Sequence, residues 1–166
     1  MANHESLQKL YIDELRDLFS AEQMILEALP QMEKKASHPR LKAGFRSHAE
    51  QTQRHTERLQ RIFSTLGTKP TGEQCKGMKG IIDEGKEVLK KYHDSDVLDA
   101  AMIASAQRVE HYEIAGYGSV RTYANMLGLA DQENLLQQTL DEEGNMDHQL
   151  TKIAEEVVNV EALKAR

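Results

Sequence analysis

Five acidic residues stand at positions where the surrounding pattern calls for apolar ones. An α-helix turns about 100° per residue, so residues three and four apart share a face. Glu22 falls between Leu18 and Ile25 in one such stripe. In a second, Ile103, Ala106, Glu110, Glu113, Tyr117, Val120 and Ala124 follow one another at three- and four-residue steps. A third runs Leu136, Leu140, Glu143, Asp147, Leu150, Ala154 and Val157. An unpaired carboxylate turned inward must be desolvated or stay protonated, and several at one level repel each other. A shared cation resolves both problems, because carboxylates projecting inward from packed helices are how di-iron and di-manganese sites are built. Taken singly, each acid could lie at the edge of its stripe and reach water or a basic side chain. Taken as a set, they predict a metal site.

The rest of the composition fits helices that would carry such a site. The chain has 166 residues, of which 39% are hydrophobic and only 5% aromatic, with no Trp and 3 Pro. That is enough for one domain with its own core, and residues 1–166 are read as a single domain. Ala, Leu, Glu, Lys, Gln and Arg dominate, which favours helix over sheet. Cys75 is the single cysteine, so neither a disulfide framework nor a thiolate metal cluster can form within the chain. A formal charge of −6 argues against nucleic acid as a partner. The opening Met-Ala-Asn-His-Glu-Ser has no apolar signal region, and no run of about 18 apolar residues exists to span a membrane. A soluble, cytoplasmic location is the expectation.

Apolar periodicity places a first helix over residues 6–35, with Pro30 expected to kink its last turns. Pro39 suits the first turn of a second helix, which Gly67 closes after Leu66. A turn cluster over 67–72 leads to a shorter helix around Met78 to Tyr92. Asp94-Ser95-Asp96 offers an N-cap for a third long helix that ends at Leu127 and Gly128. The fourth runs from Asp131 to Val158, with Gly144 as a weak point. Short turns make antiparallel pairs, and the long middle segment can cross from one end of a bundle to the other. That is the connectivity of a ferritin-like four-helix bundle with a short fifth helix in its crossover.

This layout also weighs the second helix. Glu50 lies about 140° from Phe45, on the wet face. His48, Thr52 and His55 lie nearer the apolar stripe. In a ferritin-like arrangement the second and third long helices run parallel and the fourth runs opposite. One turn before Thr52 is then level with Glu110 and Asp147, which selects His48 over His55.

At Ser20-Ala21-Glu22-Gln23, His48-Ala49-Glu50-Gln51-Thr52, Ala106 to Gly118, Thr139-Leu140-Asp141-Glu142-Glu143 and Cys75-Lys76-Gly77-Met78-Lys79-Gly80, the chain resembles the YciF/YciE family of bacterial stress-associated proteins. The most specific segment is Val109-Glu110-His111-Tyr112-Glu113-Ile114-Ala115. The resemblance implies a ferritin-like bundle, a homodimer, and kinship with rubrerythrin and manganese catalase. Rubrerythrin-type sites use Glu, Glu-x-x-His, Glu-x-x-Glu and Glu-x-x-His on the four helices in order. Glu22, Glu110, Glu113 and Glu143 match that scheme. Two positions depart from it: Thr52 stands for the second-helix glutamate, with His55 at the histidine, and Met146 stands for the fourth-helix histidine, with Asp147 the nearest replacement.

The reading that follows is a stress-associated protein whose Glu22, His48, Glu110, Glu113, Glu143 and Asp147 hold a dinuclear centre. Iron is the metal expected, with manganese as the alternative, and the chemistry expected is reduction of peroxide or dioxygen. The competing reading is a non-catalytic dimeric structural protein with a vestigial site, kept open by Thr52 and Met146. Tyr117 sits one turn from Glu113 and could donate to a ligand carboxylate, act as a redox phenol or simply pack. His111 is rotated to the surface, Cys75 lacks a basic pair, the methionines read as core filler, and Gly144 could admit a π-bulge. No cysteine module is present to supply electrons, so the electron donor is not identified by the sequence.

Overall fold

In the computed structural model, residues 6–93 and 95–164 are described, and among them every regular element is helical. Helix α1 spans Leu7–Lys35, α2 Pro39–Thr65, α3 Lys76–Lys91, α4 Leu98–Met126 and α5 Ala130–Ile153. A π-helical turn, Ala154–Val158, leads into a short α6, Asn159–Lys164.

Local chemistry accounts for most of the boundaries. Ser6 Oγ accepts from Lys9 N–H at 3.1 Å and caps α1, which continues through Pro30 on its exposed side. Pro39 opens α2, whose N-terminus is also held from outside: the Asp99 carboxylate of α4 accepts from Ser37 N–H at 2.8 Å and His38 N–H at 2.7 Å. Gly67 and Gly128 adopt φ of 64° and 71°, the left-handed conformation that glycine reaches without a Cβ clash, and both stand just past helix ends.

Two local expectations need correction. The third long helix begins after Val97, without a side-chain cap; Ser95 Oγ instead accepts Val97 N–H at 3.3 Å, and Asp94 lies outside the described residues. Asp99, the acid in the first turn of α4, turns to the start of α2 rather than to its own helix. The widened turn is at Ala154–Val158 and not at Gly144, where the helix is regular. A Cβ built at Gly144 would meet nothing within 4 Å, so that glycine relieves no crowding.

The four long helices pack around a core divided in two. One apolar cluster joins Ile25 and Leu29 of α1, Leu41 and Phe45 of α2, Met102 and Ile103 of α4, and Met146 and Leu150 of α5. The other joins Leu15 and Leu18, Leu59 and Phe63, Tyr117 and Val120, and Leu136 on the same four helices. The late part of α1 thus meets the early part of α2 and α4 and the late part of α5. Accordingly α2 and α4 run one way, α1 and α5 the other, and α3 crosses over α1 and α4. Each long helix passes from one cluster to the other at its acidic or histidine residues. The polar layer is sandwiched between two apolar ones, which keep water from it on both sides. No helix among the described residues is long and apolar enough to cross a membrane.

Candidate metal centre

Two groups of ligating atoms occupy this middle layer. His48, Glu110, Glu113 and Glu143 form one, and Glu22, His55 and Glu143 form the other; within each group the atoms lie within 4.8 Å of one another. Glu143 belongs to both. All six side chains are buried, none of them more than 2% exposed.

Helical spacing explains how each side chain arrives. Glu110 and Glu113, three residues apart, stand one turn from each other on the inner face of α4. His48 and His55 are seven residues apart on α2, two turns, so they share a face with only about 20° of drift. Glu22 and Glu143 come from α1 and α5. His48 Nδ1 lies 3.2 Å from Glu110 Oε1 and its Nε2 lies 3.7 Å from Glu143 Oε2. His55 Nδ1 lies 2.8 Å from Glu143 Oε1 and 3.3 Å from Glu22 Oε1.

Short as these separations are, the alignment needed for hydrogen bonds is absent. Glu22 Oε2, both oxygens of Glu110, Glu113 and Glu143, His48 Nε2, His55 Nδ1 and Thr52 Oγ1 have no hydrogen-bond partner. Buried polar atoms are rarely left so, and a cluster of orphans facing one another marks the place of an ion. The donor set, carboxylate oxygens with imidazole nitrogens, suits iron, manganese and zinc. The residues therefore fit a metal.

The electrostatics agree. Burial pushes the Glu22, Glu110 and Glu113 carboxyls above the usual range, and neighbouring carboxylates, Glu143 above all, add to the rise at Glu110 and Glu113. Burial also opposes ionisation of Glu143, but His48 and His55 outweigh it and hold that carboxyl low. For His55, burial works against the charged form, yet contact with Glu143 and Glu22 wins and lifts it to about 10. Without a metal, the layer holds itself together by retaining protons.

The outer ring of contacts gives the ligands direction. Glu142 is kept ionised by Arg58, whose Nη1 and Nη2 each lie 2.8 Å from one of its oxygens. A carboxylate accepts only, so its 2.8 Å contact with His55 Nε2 puts hydrogen on that nitrogen. In the metal-free layer Nδ1 carries the second proton toward Glu22 and Glu143; an ion that displaced that proton would meet the Nδ1 lone pair, the carboxylate–histidine arrangement common around metals. Tyr117 Oη donates to Glu22 Oε1, the oxygen that also faces His55 Nδ1, and Oε2 is left without a hydrogen-bond partner.

Five of the six residues expected from the sequence, Glu22, His48, Glu110, Glu113 and Glu143, are brought together here. Asp147 is not. Its side chain is 23% exposed, accepts from Gln107 Nε2 at 3.1 Å and lies 3.4 Å from the exposed His111. One turn beyond Glu143 and rotated by about 40°, it faces the edge of the α4–α5 contact. Met146 packs in the apolar cluster of Ile25, Phe45 and Leu150, and Glu50 is exposed, as expected. His55, ranked below His48 by level alone, enters the centre as well, because Glu22 and Tyr117 of the neighbouring helices lie at its height. Glu142, beside Glu143 and off the apolar stripe, carries no local mark of its role in the sequence.

Comparison with known proteins follows the same lines. The family model described as "Domain of unknown function (DUF892)" matches residues 6–163. Protein YciF of Escherichia coli (strain K12) is 37% identical over 161 residues, which cover 96% of this chain and 97% of that protein. The crystal structure of the E. coli stress protein YciF superposes with a TM-score of 0.89 at 36% identity, covering 94% of this chain and 99% of that one. A structure from Rhodopseudomonas palustris, described as YcfI, a putative structural protein, gives 0.88 at 40% identity, over 92% and 98% of the two chains. A ferritin-like, diiron-carboxylate protein of Bacillus anthracis gives 0.70 at 20% identity over 90% and 99%, and so shows the ferritin-like fold.

Proposed function

The chain belongs to the DUF892 family, and from that premise we propose that it is a stress-associated, ferritin-like protein that binds a dinuclear metal centre, with iron as the metal. One observation carries this reading: Glu143 serves two adjacent groups of buried, unpartnered ligating atoms, the arrangement that a bridging carboxylate requires. His48, Glu110 and Glu113 would hold one ion, Glu22 and His55 the other. Bound there, iron or manganese would supply the electrons for reduction of peroxide or dioxygen.

The chain's own residues would do the rest. Arg58 and Glu142 hold His55 with its Nδ1 lone pair inward, Tyr117 fixes one oxygen of Glu22, and the two apolar clusters exclude water. We infer a cytoplasmic homodimer, in keeping with the family resemblance. The description of YciF as a stress protein supports the physiological setting. Thr52 and Met146, where related sites carry Glu and His, favour the second reading of a structural protein that binds metal weakly.

Metal analysis of protein purified without chelator separates the two. About two iron or manganese ions per chain, lost in the Glu113→Ala, Glu143→Ala double variant, supports the centre. A chain that holds no metal, and whose stability added iron leaves unchanged, overturns it. Peroxide consumption by the loaded protein is then a separate test of catalysis.

A further inference from the structure

The crossover helix α3 covers a cleft rather than a packed interface. Of its residues only Met78 is buried, and the apolar Ile81, Ile82 and Leu89 stay half-buried above a space of about 290 Å³. Protein interiors are normally filled to crystal-like density, so a space of this size beside a core is itself informative. Small residues keep it open: Ala28 of α1, Gly85 of α3, and Ser105 and Ala106 of α4. Met24 and Met32 flank it, with unbranched side chains that adapt to an irregular guest.

The inner wall of the cleft is formed in part by His48 and Glu110. His48 itself keeps 2% exposure, the most of any residue in the metal groups. The cleft therefore borders the metal layer at these two residues. Its inner lining is otherwise apolar, with Ile25, Leu29 and Phe45, whereas its mouth carries Gln31, Gln74 and four charged groups. Those charges cancel: Lys79 and Lys86 share Asp83, and Glu27 faces them from α1. Nothing there selects an ion of either sign.

We propose that this cleft binds an uncharged aliphatic molecule of about ten carbons, its polar head at the Gln31–Gln74 mouth and its terminal methyl against His48 and Glu110. The size follows from the volume of about 290 Å³, at about 30 Å³ for each group the size of a water molecule. The placement beside a metal rests on the reading of His48 and Glu110 as ligands, whereas the binding itself does not.

The test uses 1-decanol and the full-length chain labelled at its methionine methyl groups. Saturable shifts of the Met24 and Met32 resonances are expected, in metal-free and metal-loaded protein alike. Binding should be weaker by about tenfold for decanoate and for decylammonium, and by about tenfold in Gly85→Leu. That substitution projects into the cleft, where a Cβ meets only Ser105 Cβ at 3.9 Å, and it improves helix propensity, so the fold is retained. Ala28→Phe serves as a second filling variant. In manganese-loaded protein, the terminal methyl protons of decanol should relax faster than the protons beside its hydroxyl.

Absence of saturable shifts, or equal shifts in both filling variants, overturns the cleft as a binding site. Faster relaxation at the hydroxyl end overturns the orientation. Metal content measured on the same samples keeps the two readings apart: methyl shifts in a chain that takes up no metal uphold the cleft and overturn the centre.

Discussion

Glu142 Oε2 lies 2.8 Å from His55 Nε2, and this contact decides which nitrogen of the imidazole faces the centre. Loss of the carboxylate leaves His55 free to change tautomer and rotate. Glu142→Ala is expected to weaken metal binding by about 10–100-fold, the usual cost of losing such a partner. Glu142→Gln keeps an acceptor and should lose less. Competition against a chromophoric chelator gives both values; unchanged affinity in Glu142→Ala would show that the contact does not orient the ligand.

Sharing of Glu143 makes a sharper prediction about stoichiometry. Glu143→Gln removes charge from both groups and should lower metal content at both positions. His48→Ala touches only one group and should leave about one ion per chain, held by Glu22, His55 and Glu143. Asp147→Asn lies outside both groups and should leave the content unchanged. Elemental analysis of the three variants, equilibrated with the same metal, checks the pattern.

The protons held by the metal-free layer set a pH dependence. His55, raised from 6.5 to about 10, contributes stability that is present below pH 6.5 and lost as pH rises through about 10. Glu22, Glu110 and Glu113, raised above 4.5, act in the same direction: the folded state favours their neutral forms, and that advantage goes as pH rises through their elevated values. Glu142 and Glu143, held low, contribute above 4.5 and lose it only in acid. Chelator-treated protein should therefore melt at progressively lower temperature from pH 6.5 to 10. Metal displaces those protons, so its stabilisation should grow over the same range. Melting curves with and without metal test this; a flat profile for the metal-free chain would refute it.

Asp99 offers a test of the fold independent of the metal. Its carboxylate, in the first turn of α4, accepts the Ser37 and His38 N–H groups of the turn between α1 and α2, and the residue is 8% exposed. Asp99→Ala strands those donors and should cost about 1–3 kcal/mol. Urea unfolding should show a lower midpoint at unchanged slope.

Much of this arrangement is legible in the sequence. Gly67 and Gly128 marked helix ends because only glycine takes a positive φ there without strain, and Glu22, Glu110, Glu113 and Glu143 stood out because each interrupts an apolar stripe. The widened turn at Ala154–Val158 had no comparable signal. Nor did the capping of α2 by Asp99, a contact between residues 61 and 62 positions apart.

The sequence by itself determined that Glu22, Glu110, Glu113 and Glu143 turn inward, since each lies near the middle of a stripe set by an angle of about 100° per residue along one helix, whereas Asp147 lies where that angle alone does not separate core from edge. Only the tertiary structure decided their company. Whether His48, His55 or both meet the carboxylates, whether Asp147 joins them, and whether Glu142 reaches His55 all depend on the rise and rotation of one helix relative to another. Those offsets come from the packing of the two apolar clusters above and below the layer, where side-chain shapes from four helices must fit at once. No local period encodes them.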